Sequence, residues 1–429
     1  MGVAACACCA ARAQALASAV SPLHPRRREA RRGSVTATPP VRAPLPPKRL
    51  LLLLNDAPFF VTHRLSIALA ARAVGFEVHV GVPFEPRAVE LIKGAGIVVH
   101  DIPLRRGARA VAGELRLLQA YWRLIGELKP DIVHAVTMKP VLYGGLVARL
   151  RKVPAVVHAV TGLGYLFLIG GPLAWVQRTL VLALYRAALG HPNARAIFQN
   201  PDDLDLFLRH RVVDRGITVM IRGCGVDTRE FPYTPEPPGP PLVLFPARII
   251  GDKGVREFVA AAGALKAQGA EARFRLLGRT DPDNPTNVTE AEVRAWEEEG
   301  IVEWRGFSTE MPIELALSHI VVMPSYREGL PRVLIEAASV GRAIVTTDVP
   351  GCREVVRDGD NGLLVPVRDA AALAAAIKRL LEDKKLRADM GARGRARVMA
   401  EFSVEGFVAD SLAVYGDVLQ DDQPAPAAA

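Results

Sequence analysis

The sequence lacks the cysteine pattern of a disulfide framework and the residue spacing of a metal centre. Its five cysteines are odd in number: Cys6, Cys8 and Cys9 crowd the start, whereas Cys224 and Cys352 stand alone. No His and Cys cluster has ligand spacing, and no Asp-x-Asp pair stands in a plausible strand-end position. We therefore expect reduced thiols in a cytoplasmic protein, no cofactor and no required metal ion.

An uninterrupted apolar run that would span a membrane is also lacking. Residues 153–177 carry no formal charge over 25 residues, a length sufficient for a bilayer. Pro154, Pro172 and several glycines interrupt this stretch, and its first part, VPAVVHAV, has the composition of a buried strand. A spanning helix is therefore not predicted. The helix-like WVQRTLVLALYRAALG that follows is apolar enough to pack against either the core or a membrane interface.

Helical or strand periodicity is missing from the first 48 residues, which are rich in Ala, Arg and Pro. This composition predicts a disordered, basic leader over 1–48. A signal peptide is not predicted, because the positive charge follows the apolar part instead of preceding it. We expect residues 420–429 to form a disordered tail.

The formal net charge of +9 is distributed unevenly along the chain. Lys and Arg outnumber Asp and Glu by 8 to 1 over residues 1–48 and by 23 to 14 over 49–231, but they number 23 against 30 over 232–429. No nucleic-acid recognition motif or aromatic interleaving accompanies the basic half, so we expect no nucleic-acid partner. An anionic membrane surface or a phosphorylated acceptor fits this charge equally well.

Strand-like and helix-like segments alternate between the two ends of the chain. LLLLND, HRLSIALAARAVG and EVHVGVP are typical of β-α-β, and the pattern restarts after the Pro-rich PYTPEPPGPP. At 429 residues, the chain is predicted to form two doubly wound, Rossmann-like α/β domains over 49–227 and 242–400, joined by a linker over 228–241. A helix over 401–419 should pack back toward the first domain. Ligands of such folds bind at the carboxyl ends of the strands, so we expect a central cleft between the domains.

One short segment, REGLPRVLIEAAS, carries the strongest chemical signal. A helix that starts at Pro331 presents free amide groups and a positive dipole end, which suit a phosphate. The amides around Gly329 and Leu330 can meet a diphosphate, while Glu328 and Glu336 flank it and accept hydrogen bonds from hydroxyl groups. A nucleotide-sugar has this shape, with Glu336 on the ribose and Glu328 on the donor sugar. The alternative is that both acids are ordinary surface residues near a helix start.

Cations for the diphosphate are found in PARIIGDKGVREF. Arg248 directly follows a predicted strand, and Lys253 lies in the glycine-flanked turn before the next helix. Fixed Arg and Lys side chains can neutralise a departing diphosphate without a metal.

These residues together resemble the E-x7-E motif and phosphate-binding pair of the family-4 retaining glycosyltransferases. The resemblance includes GCGVD (223–227) and TDVPGCREVVRDGDNGLLVPVRD (347–369), and it extends from about Leu50 to Leu419. It implies the two-domain GT-B fold, with acceptor binding in the first domain and nucleotide-sugar binding in the second. It also implies a hexosyltransferase that retains the anomeric configuration, with Glu328, Arg248 and Lys253 as its catalytic residues.

The first half of the chain is similar to bacterial transferases that assemble capsule and O-antigen polysaccharides on undecaprenyl-diphosphate-linked sugars. NDAPFFVTHRLSIALAARAVGFEVHV, DIVHAVTMKPVLYGG and VPAVVHAVTGLGYLF carry the similarity. The chain departs from the family by having Asn-Asp-Ala-Pro after its first strand and Thr161-Gly162 where many members have His-Gly. Candidate residues on the acceptor side are His63, Arg64, His134, Lys139, Thr161, Gly162 and Gly164. His134 and His158 are alternatively buried structural histidines.

The resemblance implies transfer of a hexose or N-acetylhexosamine from a nucleotide-sugar, with a UDP-sugar as the expected donor, to a lipid-diphosphate-linked acceptor. The expected location is the cytoplasmic face of a bacterial plasma membrane, with peripheral attachment through the basic first half. Three other classes remain open: a nucleotide-sugar epimerase of similar fold, a catalytically inactive nucleotide-sugar-binding protein, and a GT-B phosphorylase, for which no pyridoxal-phosphate lysine site is recognisable.

Overall fold

The computed structural model describes residues 47–104, 111–163, 167 and 171–420. Most of the expected leader, nearly all of the expected tail and Gly164 lie outside the described residues.

The first sheet contains seven parallel strands in the order β3-β2-β1-β4-β5-β6-β7. They are β1 (Arg49–Leu53), β2 (Glu77–Val82), β3 (Val98–Asp101), β4 (Ile132–Val136), β5 (Ala155–Val160), β6 (Ala194–Phe198) and β7 (Thr218–Met220). The central strands are almost continuously apolar because both faces of the sheet are covered by helices.

Two layers of helices cover this sheet. The helices are α1 (Ala57–His63), α2 (Leu65–Ala73), α3 (Pro86–Gly94), α4 (Val111–Leu128), α5 (Gly145–Leu150), α6 (Pro172–Leu189) and α7 (Pro201–Arg209). A π-helical turn at Pro140–Gly144 leads into α5, and a 3-10 turn at Arg215–Ile217 precedes β7. Leu50 and Leu52 point into a core with α1, α2 and α3, whereas Leu51 and Leu53 point into the core on the α4 and α5 side. This alternation follows from the period of two in a strand.

The first helix differs from the sequence expectation. It begins at Ala57, where Asp56 accepts a hydrogen bond from the Phe59 amide at 2.7 Å, and the chain breaks at Arg64 before α2 starts. The apolar pattern of HRLSIALAARAVG predicted a helix from His63, whereas the true start is marked by Asp56 followed by Pro58, a recognised helix-start signal. His63 and Arg64 therefore lie at the junction of two helices.

The second sheet contains six parallel strands in the order β10-β9-β8-β11-β12-β13. They are β8 (Leu242–Pro246), β9 (Arg273–Leu277), β10 (Glu303–Trp304), β11 (Ile320–Met323), β12 (Ala343–Thr347) and β13 (Gly362–Val365). The helices are α8 (Val255–Ala267), α9 (Glu290–Glu298), α10 (Met311–Ala316), α11 (Arg332–Val340), α12 (Cys352–Val355), α13 (Ala370–Glu382), α14 (Lys384–Glu401) and α15 (Val404–Gln420). Each sheet thus repeats the 3-2-1-4-5-6 strand order of a Rossmann-like domain, and the predicted fold class is confirmed.

The chain crosses between the domains twice, at neighbouring places. The outgoing segment passes Val226 and the returning one passes Ser403, and Val226 exchanges backbone hydrogen bonds with Phe402 and Val404. Gly225 permits this approach: it has a φ of 65°, and a Cβ there would lie 2.6 Å from the Ser403 carbonyl oxygen. After the return, α15 packs on α2, β5 and β6 of the first domain, with Phe407 and Tyr415 in its core.

Candidate active site

The segment 327–331 follows β11 and leads into α11 at the carboxyl end of the second sheet. Pro331 is the N-cap, with φ −76° and ψ 108°, and the helix begins at Arg332, one residue later than expected. The extended ψ explains this shift, because an N-cap residue stands outside the helical conformation. Gly329 and Leu330 therefore belong to an extended loop in front of the helix, and the Leu330 side chain faces Gly223.

Lys253 forms an ion pair with Glu328 in this loop. Lys253 ends a 3-10 turn, Gly251–Lys253, and Gly254 then adopts a left-handed conformation with a φ of 74°. A Cβ at Gly254 would overlap the carbonyl oxygen of Pro324, so the turn lies against the chain leaving β11. The Tyr326 amide also donates to the Asp252 carbonyl oxygen at 2.9 Å. The glycine-flanked turn thus delivers the lysine to the glutamate, although 75 residues separate them in sequence.

Arg248 follows β8 and remains half-exposed, while its Nη1 lies 2.5 Å from Oδ2 of Asp281. Burial raises the pKa of Asp252, opposed by the Thr286 hydroxyl and by the charges of Lys253, Arg248 and Arg368. These three cations therefore gather around one carboxylate. Sequence reasoning missed Arg368, which stacks over the Tyr326 ring at 4.6 Å. It lies in a loop after β13, and no motif identified it.

Glu336 lies in the second turn of α11, away from Lys253. It is only 7% exposed, and its Oε1 is 2.7 Å from Nε of Arg332, one helical turn earlier. Burial raises the pKa of Glu336, while Arg332 acts in the opposite direction. Arg332 also donates to the carbonyl oxygen of Thr62 in the first domain. Glu328 thus lies in the loop and Glu336 inside the helix that follows, where Glu336 is far less accessible than a surface acid.

The first domain contacts the loop directly at Gly329. A Cβ on Gly329 would overlap the carbonyl oxygen of Thr161 and lie 3.1 Å from the Gly162 amide nitrogen. Asn200 Nδ2 donates to the Gly329 carbonyl oxygen at 2.7 Å. Because any side chain would prevent this approach, the contact between the domains requires glycine at position 329.

Two ion pairs also join the domains, and neither was predicted from the sequence. Asp203 pairs with Arg327, and Asp202 pairs with Arg353 at 3.2 Å. Both acids belong to the first turn of α7, which Asn200 caps. The signal available in the sequence was the cap-like run NPDD after a strand, but nothing local indicates arginine partners more than a hundred residues away.

Comparisons with known proteins identify both halves of the chain. The family model described as "Glycosyl transferase 4-like" matches residues 49–190, and "Glycosyl transferases group 1" matches residues 226–397. The chain is a glycosyltransferase of family 4. The site above therefore belongs to an enzyme with the GT-B fold. The residues of the second domain that match the group 1 model include Glu328 and Glu336.

Two relatives of this glycosyltransferase are named for transfer to a lipid-linked sugar and for capsular polysaccharide biosynthesis. It is 28% identical to the N,N'-diacetylbacillosaminyl-diphospho-undecaprenol alpha-1,3-N-acetylgalactosaminyltransferase of Campylobacter jejuni, over 76% of this chain and 88% of the relative. It is 24% identical to the capsular polysaccharide biosynthesis glycosyltransferase CapM of Staphylococcus aureus, over 76% and 87%. The fold matches that of Anabaena HepE in complex with UDP and glucose, with a TM-score of 0.69 and 19% identity over 86% of this chain and 99% of HepE.

Lys139, Thr161 and Gly162 of the glycosyltransferase lie where the first domain faces the cleft. Thr161 and Gly162 follow β5 and touch Gly329, as described above. Lys139 follows β4, and its ammonium group lies 2.7 Å from Glu114. These placements are compatible with the predicted acceptor side, and the roles stay predictions.

His63 and Arg64 stand behind the cleft near Arg332. His63 stacks on Phe59 with ring centroids 4.0 Å apart. Burial lowers the pKa of His63 to about 3, with smaller effects of Arg332 and Arg64. Arg64 is buried, and its guanidinium lies 5.2 Å from the centre of the Phe407 ring in α15. Arg64 therefore offers no open face for an acceptor phosphate in this conformation, whereas His63 keeps part of its surface exposed.

The two strand histidines are buried in the first domain. His134 Nδ1 lies 2.6 Å from the Tyr415 hydroxyl of α15, and His158 is fully buried in β5. Burial lowers the pKa of both, that of His158 to about 3. This environment favours the structural alternative for both histidines over contact with an acceptor.

The part of the chain that the structure describes contains neither a metal-binding cluster nor a membrane-spanning helix. No group of three or more His, Cys, Asp and Glu residues between 47 and 420, outside the gaps, is arranged to hold a metal ion. No helix in the same ranges combines the length and hydropathy needed to cross a bilayer. Cys224 and Cys352 are buried free thiols.

Proposed function

We propose that this glycosyltransferase moves a hexose or N-acetylhexosamine from a UDP-sugar to a sugar on a lipid diphosphate, with retention of configuration, during cell-surface polysaccharide synthesis. The ion pair between Lys253 and Glu328 beside Gly329 carries the proposal. It joins a cation for the diphosphate and an acid for the donor sugar at the point where both domains meet.

The donor diphosphate is proposed to lie against the amides of Gly329 and Leu330. Lys253 and Arg248 would face its negative charge, and each has a carboxylate partner that holds it in place, Glu328 and Asp281 respectively. When the diphosphate binds, each of these cations exchanges its carboxylate partner for a phosphate group. Such preorganised cations stabilise charge that develops on a leaving group without reorganisation at the moment of reaction.

Glu336 is proposed to accept hydrogen bonds from the ribose hydroxyls. Burial raises the pKa of Glu336, and its ion pair with Arg332 opposes this rise by favouring the ionised form. The UDP in the matched HepE structure supports uridine as the base to be tested first.

The transfer step is proposed to use the leaving group as the base. The bond between the anomeric carbon and the diphosphate oxygen breaks, and the acceptor hydroxyl attacks from the same face. Its proton passes to the departing oxygen, while Lys253 and Arg248 carry the developing charge. Glu328 orients the sugar and stabilises its positive charge. Positioning and electrostatics therefore supply most of the rate, and we propose that no metal ion is required.

The lipid-diphosphate acceptor is proposed from the names of the relatives and from charge. One relative is named for a diphospho-undecaprenol acceptor. Residues 49–231 carry 23 Lys and Arg against 14 Asp and Glu, a balance suited to an anionic acceptor at a membrane surface.

The direct test is incubation of the full chain with single UDP-, GDP- and dTDP-sugars and a panel of undecaprenyl-diphosphate-linked sugars. Mass spectrometry should detect one acceptor that is one sugar longer, and NMR of the product should show that the new linkage has the anomeric configuration of the donor. Chelation with EDTA should leave the rate unchanged, and a lost rate restored by a divalent ion would contradict the proposal of metal-free chemistry.

An epimerase and a binding protein predict different results in the same experiment. An epimerase alters the sugar of the donor in the absence of acceptor. A binding-only protein gives thermal stabilisation by a nucleotide-sugar but no product with any acceptor, and Glu328→Gln would then leave its partner binding intact.

A further inference from the structure

We propose that the first half of α6 docks on an anionic lipid surface and holds the acceptor side of the cleft against it. The inference rests on the proposed lipid-linked acceptor and assigns the part of the chain that meets the lipid. It begins with exposure: Leu173, Trp175, Val176 and Leu180 are 70%, 64%, 53% and 62% exposed. Water-facing clusters of this kind on a folded protein mark interaction surfaces.

The spacing of three of these residues makes one continuous strip. Leu173, Val176 and Leu180 recur at intervals of three and four, so they lie on one side of the helix, whereas Trp175 is turned about 100° from Val176 and extends the exposed apolar surface around the helix. The opposite side, with Ala174, Tyr185 and Ala188, is buried against the sheet. A helix that is apolar on both its buried and its exposed sides requires a second apolar surface to cover it.

The strip is confined to the end of α6 that faces the active site. The C-terminal half of the helix, from Val181 to Leu189, has no large apolar side chain among the strongly exposed ones. Helix α6 starts after β5, whose carboxyl end leads to Thr161 and Gly162 at Gly329. In the same way α4 starts at the carboxyl end of β3, and its Leu115 is 60% exposed. The exposed apolar residues therefore lie toward the edge of the first sheet that meets the loop at 327–331.

Charge distinguishes this side of the sheet from the other. Helices α4, α5 and α6 carry Arg116, Arg123, Arg149, Arg178 and Arg186 against Glu114 and Glu127. Helices α1, α2, α3 and α15, on the opposite side, carry Arg72, Arg87 and Lys93 against Glu90, Glu405, Asp410 and Asp417. Of the two acids on helices α4, α5 and α6, Glu114 is already paired with Lys139. The nearby acids Asp202 and Asp203 of α7 are paired with arginines of the second domain.

An apolar strip with an arginine-rich surround fits anionic lipid better than it fits a second copy of the chain. Each basic residue near such a surface adds attraction, and tryptophan is favoured at the boundary between lipid and water. Two copies meeting through this side would instead bring like charges together.

The test compares the full-length chain with a Trp175→Ser, Leu180→Ser variant in flotation with vesicles of phosphatidylglycerol and phosphatidylcholine. Ile313→Ser with Leu317→Ser is the matched control, because these two residues are exposed apolar side chains of the second domain. We expect at least about tenfold weaker vesicle binding for the α6 variant and no change for the control. Vesicles of phosphatidylcholine alone should bind the wild type more weakly. Circular dichroism and thermal unfolding should confirm that both variants fold.

Activity provides a second readout that separates this inference from the proposed function. The α6 variant should keep its rate on a short-chain, water-soluble diphosphate-sugar acceptor and lose rate on the same acceptor embedded in vesicles. Vesicle binding is measured without substrates, so its loss in the variant supports docking even if no transfer product forms. Equal vesicle binding by the wild type and the α6 variant overturns the inference. If the variant also changes from dimer to monomer while it still binds vesicles, the exposed surface of α6 is an interface between two copies of the chain instead.

Discussion

Asp203 of the first domain forms an ion pair with Arg327 of the second domain. Arg327 is the residue immediately before Glu328 in sequence. The side chain of Asp203 is 1% exposed and that of Arg327 is 18% exposed, so water competes little for either charge. Burial raises the pKa of Asp203, opposed by Arg327 and by the amide of Asn200. The contact links the position of the first domain to the position of the loop that carries the proposed catalytic acid.

Replacing Asp203 by Asn should therefore weaken the contact between the domains and lower kcat/KM by roughly 10-fold to 100-fold. Loss of one partner of a buried pair costs about 3–5 kcal/mol, and the partial exposure of Arg327 reduces this figure. Small-angle scattering should show a larger radius of gyration in the absence of donor. The control is Asp205→Asn, an exposed acid on the same helix. Equal activity of both variants would show that the pair does not position the loop.

A methyl group at position 329 should abolish activity while leaving each domain folded. The Cβ of Gly329→Ala would overlap the Thr161 carbonyl oxygen, which forces the domains apart or displaces the loop. Gly113→Ala is the control, since a Cβ at Gly113 meets no atom within 4 Å. Thermal unfolding and the rate of sugar transfer are measured for both. A fully active Gly329→Ala enzyme would mean that this contact is not needed for the reaction.

Substitution of Lys253 by Ala should lower kcat by about two to three orders of magnitude, the loss typical of removing one charge-stabilising group. The same substitution leaves Glu328 without its cation beside the donor, so donor affinity should fall as well. Steady-state kinetics at several donor concentrations separates the two effects. Lys385→Ala, at a strongly exposed lysine of α14, is the control. A higher KM with an unchanged kcat would contradict the proposed role of Lys253 in stabilising the leaving group.

Stability should decrease in mild acid because His158 is neutral in the folded state. Its pKa falls from 6.5 to about 3 on burial. The unfolded chain therefore takes up a proton below pH 6.5 that the folded protein refuses, so this contribution is complete above 6.5 and is lost as the pH falls toward 3. At about pH 5 the loss is about 2 kcal/mol.

Replacing His158 by Leu removes this contribution, and neither ring nitrogen has a hydrogen-bond partner among the described residues. Urea unfolding at about pH 7.5 and pH 5 should show a smaller acid-induced decrease in unfolding free energy for the variant than for the wild type. His210→Leu removes an exposed histidine and serves as the control. If both variants change the pH dependence equally, the assignment to His158 is incorrect.

Local patterns were sufficient to predict the fold class and to suggest the residues proposed for the donor side. The alternation of apolar strands with helices, the Pro-rich crossing and the run from Glu328 to Glu336 are all visible within short windows. The structure and the comparisons confirm two doubly wound domains and a family-4 glycosyltransferase. The pairing of Lys253 with Glu328 was expected only as proximity, since both follow strands of one parallel sheet.

The sequence by itself determined which residues are candidates for binding a nucleotide-sugar, because glycine turns, helix starts and strand ends depend on neighbours in the chain. Only the tertiary structure decided that Gly329 lies against Thr161 and that Asp203 pairs with Arg327. The physical reason is range. A turn or cap is fixed by steric and hydrogen-bonding preferences of adjacent residues, whereas these contacts depend on how two separately folded domains pack against each other.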